Sequence, residues 1–380
     1  MLRHLFKLIW NKKRAHTLLI VEIWASFMVL FGLATLIVVN VSKYREPLGF
    51  TYANVWAVQL HNNQDTTDVG GKLQRIIQRV RTYPAVESAS SMGDNFPFSA
   101  YQNGSTITYK KHDVQADYYA TDDNFANTLG IAVPTGHWYR SADSVGKYRP
   151  VVINEQARKE LFATENPLGK IISDQYKVVG VIDNFKAKGE FMANQPALFE
   201  LAKANNTILV RVKPGTDAAF ESTMVKAIAS QLPGWGVEVD YLTDSRKNQH
   251  NLVLVPIIIA SIVCGFLLIN VALGLFGVLN LSITRRRSEI GLRRAIGATG
   301  SGVSTQFVGE TWVLATFAML IGLLLAVQFP LLNVFDLQAG VYLTAMGIAV
   351  LIIYLIVTLC ALFPSRQAAL IQPATALHEE

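Results

Sequence analysis

The sequence predicts an α-helical membrane protein with four transmembrane helices and an α+β extracytoplasmic domain between the first two helices. Two observations support this fold class. Apolar residues make up 51% of the 380 residues and charged residues only 16%, whereas a soluble domain carries about 25% charged residues. The charge is also uneven, because residues 41–250 hold 23 basic and 22 acidic residues. A segment of ordinary composition therefore lies between two apolar segments.

Four segments are long and apolar enough to cross a bilayer, which takes about 20 residues. We predict transmembrane helices at residues 17–40, 252–284, 305–329 and 341–363, with an outer loop at 330–340. The first segment is longer than the core of a secretory signal and lacks a clear cleavage site. We therefore expect an uncleaved anchor.

Basic residues near the ends of the spans predict the orientation. An amphipathic N-terminus, 1–16, holds five basic residues, the region 285–304 holds five arginines, and the tail 364–380 holds one. All of these lie on one side of a bacterial inner membrane if both termini are cytoplasmic, and residues 41–251 then face outward. The basic excess is thus a topology signal, and we expect membrane lipid rather than nucleic acid as the partner of these charges.

The outer segment contains a repeated strand–helix–strand pattern at about 52–92 and 206–243, and it brackets a β-rich insertion at about 95–203. We expect two subdomains, with the repeated units next to the membrane and the insertion on top of them. The first unit has a helix with apolar residues at helical spacing: Leu73, Ile76, Ile77 and Val80. Within the insertion we expect a short helix that begins near Asp122.

No motif for catalysis or cofactor binding is present in the sequence. It has no phosphate-binding loop, no His-Glu-x-x-His pair and no Gly-x-Ser-x-Gly elbow. The two cysteines, Cys264 and Cys360, lie inside predicted spans, so the outer domain folds without disulfides. We predict no catalytic, cofactor-binding or metal-binding residues and expect that the chain is not itself an enzyme.

Three polar residues lie inside the predicted spans: Glu22, Asn270 and Glu310. Intramembrane carboxylates are costly and often functional. Glu22 and Glu310 lie near the basic cytoplasmic ends of their spans, so we expect each to reach the membrane interface or to pair with an arginine from 285–294. A role in a proton relay is the alternative. Asn270 could donate a hydrogen bond across helices. Ala318, Gly322 and Ala326 form a stripe of small residues that would pack within one subunit or between two.

The segment 280–300 leaves the membrane, becomes amphipathic and returns. It predicts a short helix on the cytoplasmic surface, in which Ile290, Leu292, Ala295 and Ile296 supply an apolar side. Such a helix binds either anionic lipid or the groove of a protein partner. Its candidate contact residues are Arg286, Arg287, Ser288, Glu289, Ile290, Gly291, Leu292, Arg293, Arg294, Ala295, Ile296 and Gly297.

The motif RRRSEIGLRRAIGA at 285–298 resembles the MacB/FtsX-type permeases of ABC transporters, the type VII or mechanotransmission group. Four further stretches, at 118–139, 151–162, 165–172 and 176–185, are similar to the MacB-like periplasmic core domain. The ending at 363–380 also resembles the family's usual ending. Together these matches cover nearly the whole chain.

The resemblance implies a permease subunit that binds a cytoplasmic ABC ATPase subunit and a second permease copy or paralogue, with a periplasmic adaptor or envelope protein as a further partner. The resemblance also implies that the helix at 288–297 is a coupling helix that sits on the ATPase. It implies that ATP is bound and used by the ATPase subunit. Some relatives carry the nucleotide-binding domain in the same chain, whereas this sequence is closer to the stand-alone permeases. The implied function is efflux of a peptide, drug or lipid-type substrate, or lipoprotein handling. The alternative is a non-transporting signalling or scaffold protein that controls a cell-envelope enzyme.

Overall fold

The computed structural model describes residues 13–202 and 204–369, with side chains from Thr17 onward. Most of the predicted N-terminal segment and residues 370–380 of the predicted tail lie outside this range. Two compact units divide the chain at Val41/Ser42 and at Val253/Leu254. The unit made of the two chain ends contains the apolar helices, and residues 42–253 form the other unit.

The helices are α1 (Lys13–Tyr44), α2 (Val69–Arg81), α3 (Phe125–Leu129), α4 (Glu155–Phe162), α5 (Ala218–Gln231), α6 (Leu242–Arg285), α7 (Arg287–Ala295), α8 (Gly300–Ala326), α9 (Gln328–Leu331) and α10 (Ala339–Ala369). The strands are β1 (Val55–His61), β2 (Val86–Met92), β3 (Gly104–Tyr109), β4 (His112–Thr121), β5 (Thr135–Gly136), β6 (Arg149–Asn154), β7 (Ile171–Ile172), β8 (Tyr176–Ile182), β9 (Ala197–Leu201), β10 (Thr207–Val212) and β11 (Gly236–Tyr241). Short 3₁₀ turns occupy Ser141–Val145 and Val334–Asp336.

Four helices of the described chain are long and apolar enough to span a membrane, which confirms the predicted fold class. Helix α8 begins at Gly300, before the apolar run itself, because the Thr299 hydroxyl accepts a hydrogen bond from the backbone N–H of Gly302. The predicted outer loop contains the end of the short helix α9 and a 3₁₀ turn.

The stripe of small residues on α8 packs against α1 within the chain. Ala318 and Ala326 are fully buried, and a Cβ atom at Gly322 would lie 2.4 Å from Cδ1 of Phe27. The two helices approach closely because Gly322 has no side chain at this point. The stripe is therefore part of an intrachain helix contact.

Helices α8 and α10 are also joined by polar side chains. The Trp312 indole donates to Thr358, and the hydroxyls of Thr316 and Tyr354 are 2.7 Å apart. Helix α6 is different, because only 6% of its membrane window is buried, compared with 28% to 33% in the other three spans. Most of its apolar surface is thus not covered by the other described residues.

The unit of residues 42–253 contains one eleven-stranded sheet with the main order β11-β1-β10-β2-β4-β9-β6-β8-β5. Its first four strands pair antiparallel, and they come from two interleaved strand–helix–strand units. The buried stripe of α2 packs on this half of the sheet together with Met224 and Ile228 of α5. The apolar stripe predicted for α2 is confirmed.

In the sheet, strands β2 and β4 of the two halves pair at one register position, Met92 with Thr121. The inserted half mixes parallel and antiparallel pairs around a core rich in aromatic rings. The helix expected to begin near Asp122 begins at Phe125 instead. The reason is that the Asp122 carboxylate accepts hydrogen bonds from Ser90, Ser91 and Arg81 across the two halves, as well as from the backbone of Asn124.

Candidate functional site

The amphipathic helix α7 is held between two membrane-spanning helices by the backbone around it. Arg286 interrupts the helical run after α6, since its backbone lies outside the helical region. Gly297, at a φ of +101°, then turns the chain beyond the helix, a conformation that favours glycine. The sequence therefore defines α7 as a separate short element of nine residues.

Ile290 fixes one side of α7 to the membrane helices. Its side chain is buried in a small apolar cluster with Ile283, Val303, Phe307 and Ala368. These residues come from the end of α6, the first turns of α8 and the last turns of α10. Helix α7 is thus packed directly against the ends of three long helices.

A chain of polar contacts reinforces this packing. Nη1 of Arg286 lies 3.1 Å and 3.2 Å from the two carboxylate oxygens of Glu310. The Gln306 amide donates to Glu310 and its carbonyl oxygen accepts from Arg293, which also pairs with Glu289. Both ends of α7 are therefore hydrogen-bonded to polar groups of α8.

The apolar residues of α7 do not share one side, contrary to the sequence interpretation. Ile290 is buried, whereas Leu292 and Ile296 are 51% and 79% exposed and Ala295 is exposed. Since successive helical residues are rotated by about 100°, Leu292 and Ile296 lie on the side away from Ile290. Helix α7 thus has a packed apolar side and an uncovered apolar side.

The other predicted contact residues of α7 are divided between these sides. Gly291 is buried, Arg294 is half-buried, and its Nη1 atom lies 2.9 Å from the Cβ position of Gly300. Arg287, Ser288 and Gly297 are exposed.

The predicted intramembrane polar residues have three different environments. Glu310 forms the ion pair with Arg286 described above. Glu22 packs against α6, with Oε2 lying 2.8 Å from the Cβ position of Gly274. Asn270 donates to the carbonyl of Phe266 in its own helix, at 2.8 Å, rather than across helices.

A second group of charged residues joins the ends of α1 and α6 in the unit of residues 42–253. We call Glu46, Lys186, Glu190, Arg246 and His250 the helix-end cluster. The ammonium group of Lys186 has no exposed surface and lies 3.3 Å from Glu46. It also donates to the backbone carbonyls of Lys43, in the last turn of α1, and Glu190.

Glu190 holds the first turns of α6. Its carboxylate accepts hydrogen bonds from Arg246 at 2.6 Å and from His250 at 2.7 Å. Burial would raise the pKa of Glu190, but the hydrogen bonds from His250, its own backbone and Arg246 together outweigh burial and lower the pKa below its ordinary value. The ionised form of Glu190 is thus built into the fold.

The sequence interpretation missed most of this cluster, and it did not expect the insertion to contact the membrane helix ends. Arg246 and His250 are one helical turn apart immediately before a span, a spacing that places two cationic or hydrogen-bonding groups on one helix face. That spacing is the feature of the sequence that could have indicated this part of the cluster. In residues 13–202 and 204–369, no group of three His, Cys, Asp or Glu side chains could hold a metal ion.

Two family models together match most of the chain. The model described as the MacB-like periplasmic core domain matches residues 25–227. The model described as the FtsX-like permease C-terminal matches residues 257–373, which include α7 and the end of α10.

Curated relatives include the macrolide export ATP-binding/permease protein MacB of Hahella chejuensis, 28% identical over 297 residues. That alignment covers 73% of this chain and 45% of the relative. The protein of the same name from Escherichia coli K12 is 25% identical over 72% of this chain and 45% of its own length. The chain therefore matches about half the length of these curated relatives.

Two solved structures resemble the chain at lower similarity. The periplasmic region of MacB from Actinobacillus actinomycetemcomitans aligns with a TM-score of 0.40 and 14% identity over 55% of this chain and 98% of its own. The extracellular domain of the transporter YknZ from Gram-positive bacteria aligns with a TM-score of 0.34 and 13% identity, over 48% of this chain and 99% of its own.

Proposed function

This chain belongs to the MacB/FtsX-type family of ABC transporter permeases of the bacterial inner membrane, and we propose that it transmits ATP-driven movement from a cytoplasmic ABC ATPase to its periplasmic domain. In this mechanism the ATPase binds and hydrolyses ATP, and the permease supplies the mechanical connection. No substrate has to cross the bilayer, because the work is delivered to residues 42–253 on the outer side.

The two-sided packing of α7 carries this proposal. A docking helix needs one side fixed to the element that it moves and one side available to its partner. Ile290 and Arg286 supply the fixed side, and Leu292 and Ile296 supply the available side. Exposed apolar residues framed by arginines suit a groove on an ATPase.

The helix-end cluster supports the other end of the same mechanism. Helix α6 is continuous from Leu242 to Arg285, and its first turns bind Glu190 of the periplasmic domain. Coupling between distant sites requires packed elements with more than one arrangement. We propose that α1 and α6 are these elements and that the helix-end cluster transfers their movement to the inserted half of the sheet.

The assembly that we propose contains a second permease copy or a paralogue. The largely uncovered apolar surface of α6 supports this part, since it offers a long helix face for another subunit. Both termini and α7 would face the cytoplasm, where the arginines near the span ends are favoured. A periplasmic adaptor or envelope protein would complete the system.

The substrates that we propose are molecules already outside the membrane, such as a peptide, a drug or a lipid-type compound, including lipoproteins. Curated relatives are named for macrolide export and for ATP binding. Their names support the drug-like class for this chain and support an ABC ATPase as the energy source.

Reconstitution with the ATPase tests the proposal. The full-length permease is purified with its ABC ATPase, and ATPase recruitment and ATP hydrolysis are measured for Leu292→Asp and Ile296→Asp. We expect ATPase affinity to fall by about tenfold or more, because a desolvated apolar contact would be replaced by a charge. The matched control is Val145→Asp, an equally apolar and 88% exposed position in the periplasmic unit.

Unchanged ATPase recruitment and hydrolysis in both α7 variants would overturn the docking assignment. If the permease recruited no ABC ATPase but altered the activity of a cell-envelope hydrolase, the signalling or scaffold alternative would replace transport. An equal loss in Val145→Asp would attribute the effect to folding rather than to docking.

A further inference from the structure

Two concavities of about 380 and 340 Å³ lie beside the helix-end cluster, and the segment around Ser99 and Ala100 lines both of them. Gln249 and Leu252 of α6 also line both. Gln249 holds the segment around Ser99 by donating to the carbonyl of Phe98 at 3.1 Å. The concavities are therefore preformed by hydrogen bonds between α6 and the inserted half.

The larger concavity contains three titratable side chains: Lys188, Glu190 and His250. Glu190 and His250 bind each other, and Glu190 also binds Arg246. Lys188 donates to the carbonyls of Ser99 and Tyr101. Among the described side chains, no carboxylate lies within 4.0 Å of the Lys188 ammonium group.

Lys188 is thus a cation held by neutral acceptors. An ammonium group has three donors, and two of them are used by these carbonyls. Burial lowers the pKa of Lys188, and the more distant carboxylate of Asp117, which accepts from Gln102, opposes this effect. A bound anion would complete the hydrogen bonding of Lys188 and offset the cost of burying its charge.

One wall of the larger concavity is apolar. Phe191, Met192, Leu252 and Val253 line it, and Met192 and Leu252 are 47% and 70% exposed. Leu252 and Val253 are also the first residues of the apolar run that continues into the membrane-spanning part of α6. The apolar wall therefore continues along the chain into the segment that lies among acyl chains.

We infer that this concavity is a binding site for an anionic phospholipid of the outer surface of the membrane, with the phosphate on Lys188 and the acyl chain along Met192, Leu252 and Val253. The inference rests on the proposed topology, because residues 252–253 must lie at the outer membrane surface. Glu190 and His250 also border the concavity, so lipid bound there contacts the residues that hold the start of α6.

Photo-crosslinking in lipid nanodiscs tests the site on the full-length chain without ATPase or ATP. The probes are phosphatidylglycerol and phosphatidylcholine with the same photoactivatable acyl chain, and the labelled peptides are identified by mass spectrometry. We expect phosphatidylglycerol to label the segments around residues 188–192 and 249–253 about tenfold more than phosphatidylcholine does, as for a charge-assisted hydrogen bond.

Lys188→Gln should abolish this preference, and Lys188→Arg should keep it because the charge is retained. Met192→Asp should reduce labelling by both lipids, and it keeps the test decisive if Lys188→Gln does not fold. Lys226→Gln, at an exposed lysine of α5, is the matched charge control and should change nothing.

Equal labelling by the two lipids in the wild type, or an unchanged preference in Lys188→Gln, would overturn the inference. Inorganic phosphate at millimolar concentration should not compete; if it did, a site for a free anion would replace the lipid site. Because no ATPase is present, these results are independent of the docking test on α7.

Discussion

Arg286, which precedes α7, forms an ion pair with Glu310 in the third turn of α8, and 16% and 18% of their side chains are exposed. Removing one partner would leave the other charge largely buried and unpaired, which costs more than the pair contributes. The pair therefore specifies how α7 is seated on α8.

We predict that Arg286→Ala and Glu310→Ala each impair ATPase stimulation and lower the thermal midpoint of the purified permease. The double variant should be less impaired than the sum of the singles, with a coupling energy of about 1 to 3 kcal/mol. Thermal unfolding and ATP hydrolysis of the four proteins measure this. Strict additivity would show that the two side chains act independently.

Gly322→Ala should destabilise the helix bundle. Its new methyl group would lie 2.4 Å from the Phe27 ring, and overpacking of this kind costs about 1 to 3 kcal/mol. Gly309→Ala, on the same helix with nothing within 4 Å of its Cβ position, is the matched control for helix propensity. Thermal unfolding in detergent measures both, and Phe27→Leu should partly rescue Gly322→Ala. Equal midpoints for the two glycine variants would contradict the close contact.

Acid should weaken the helix-end cluster through Glu190. Its pKa in the folded protein lies below 4.5, the value for an unperturbed glutamate. Ionised Glu190 therefore contributes stability above pH 4.5, and this contribution is lost as the pH falls through the folded-state pKa. At neutral pH, Glu190→Gln should unfold at a lower temperature than the wild type. This difference should shrink on going from roughly pH 6 to pH 3, and a difference that is constant with pH would show that ionisation of Glu190 does not contribute.

Asp122→Ala should destabilise the periplasmic domain more than any nearby surface change. The carboxylate accepts from Arg81 at 2.9 Å and is only 11% exposed. Its removal leaves buried donors of both sheet halves unpaired, at a cost of about 3 kcal/mol or 6 to 12 °C in thermal midpoint. Asp123→Ala is the matched control, since Asp123 is exposed and accepts a hydrogen bond from the Ser141 hydroxyl. Similar midpoints for the two variants would rule out this role for Asp122.

Features that depend on local pattern could be predicted from the sequence. The four spans follow from uninterrupted apolar runs, and the buried face of α2 follows from apolar residues at helical spacing. Strand β9 could not be predicted in this way because Glu200 interrupts its apolar pattern. In the fold, that carboxylate is buried and accepts hydrogen bonds from Tyr118, Tyr176 and Arg149.

The candidate site was predictable only in part, because some of its features depend on contacts between distant segments. The α7 segment was found because its residues are contiguous and amphipathic. The opposite placement of Ile290 and Leu292 follows from their spacing of two residues on a helix. Which of the two is buried depends on the side that the membrane helices cover, and the local sequence does not contain that information. The helix-end cluster brings Glu46, Lys186 and Arg246 together from three distant segments. The local spacing of Arg246 and His250 is therefore the only part of it that the sequence pattern could indicate.

The inserted half of the sheet meets the other half at the Met92–Thr121 pair and through the buried Asp122 carboxylate, and it also contacts the helix ends through Lys186 and Glu190. In mechanical terms, it is a body held at two separate places, the other half of the sheet and the helix ends. Under the mechanism that we propose, a small change in the spacing of α1 and α6 would therefore strain the inserted half between these two places.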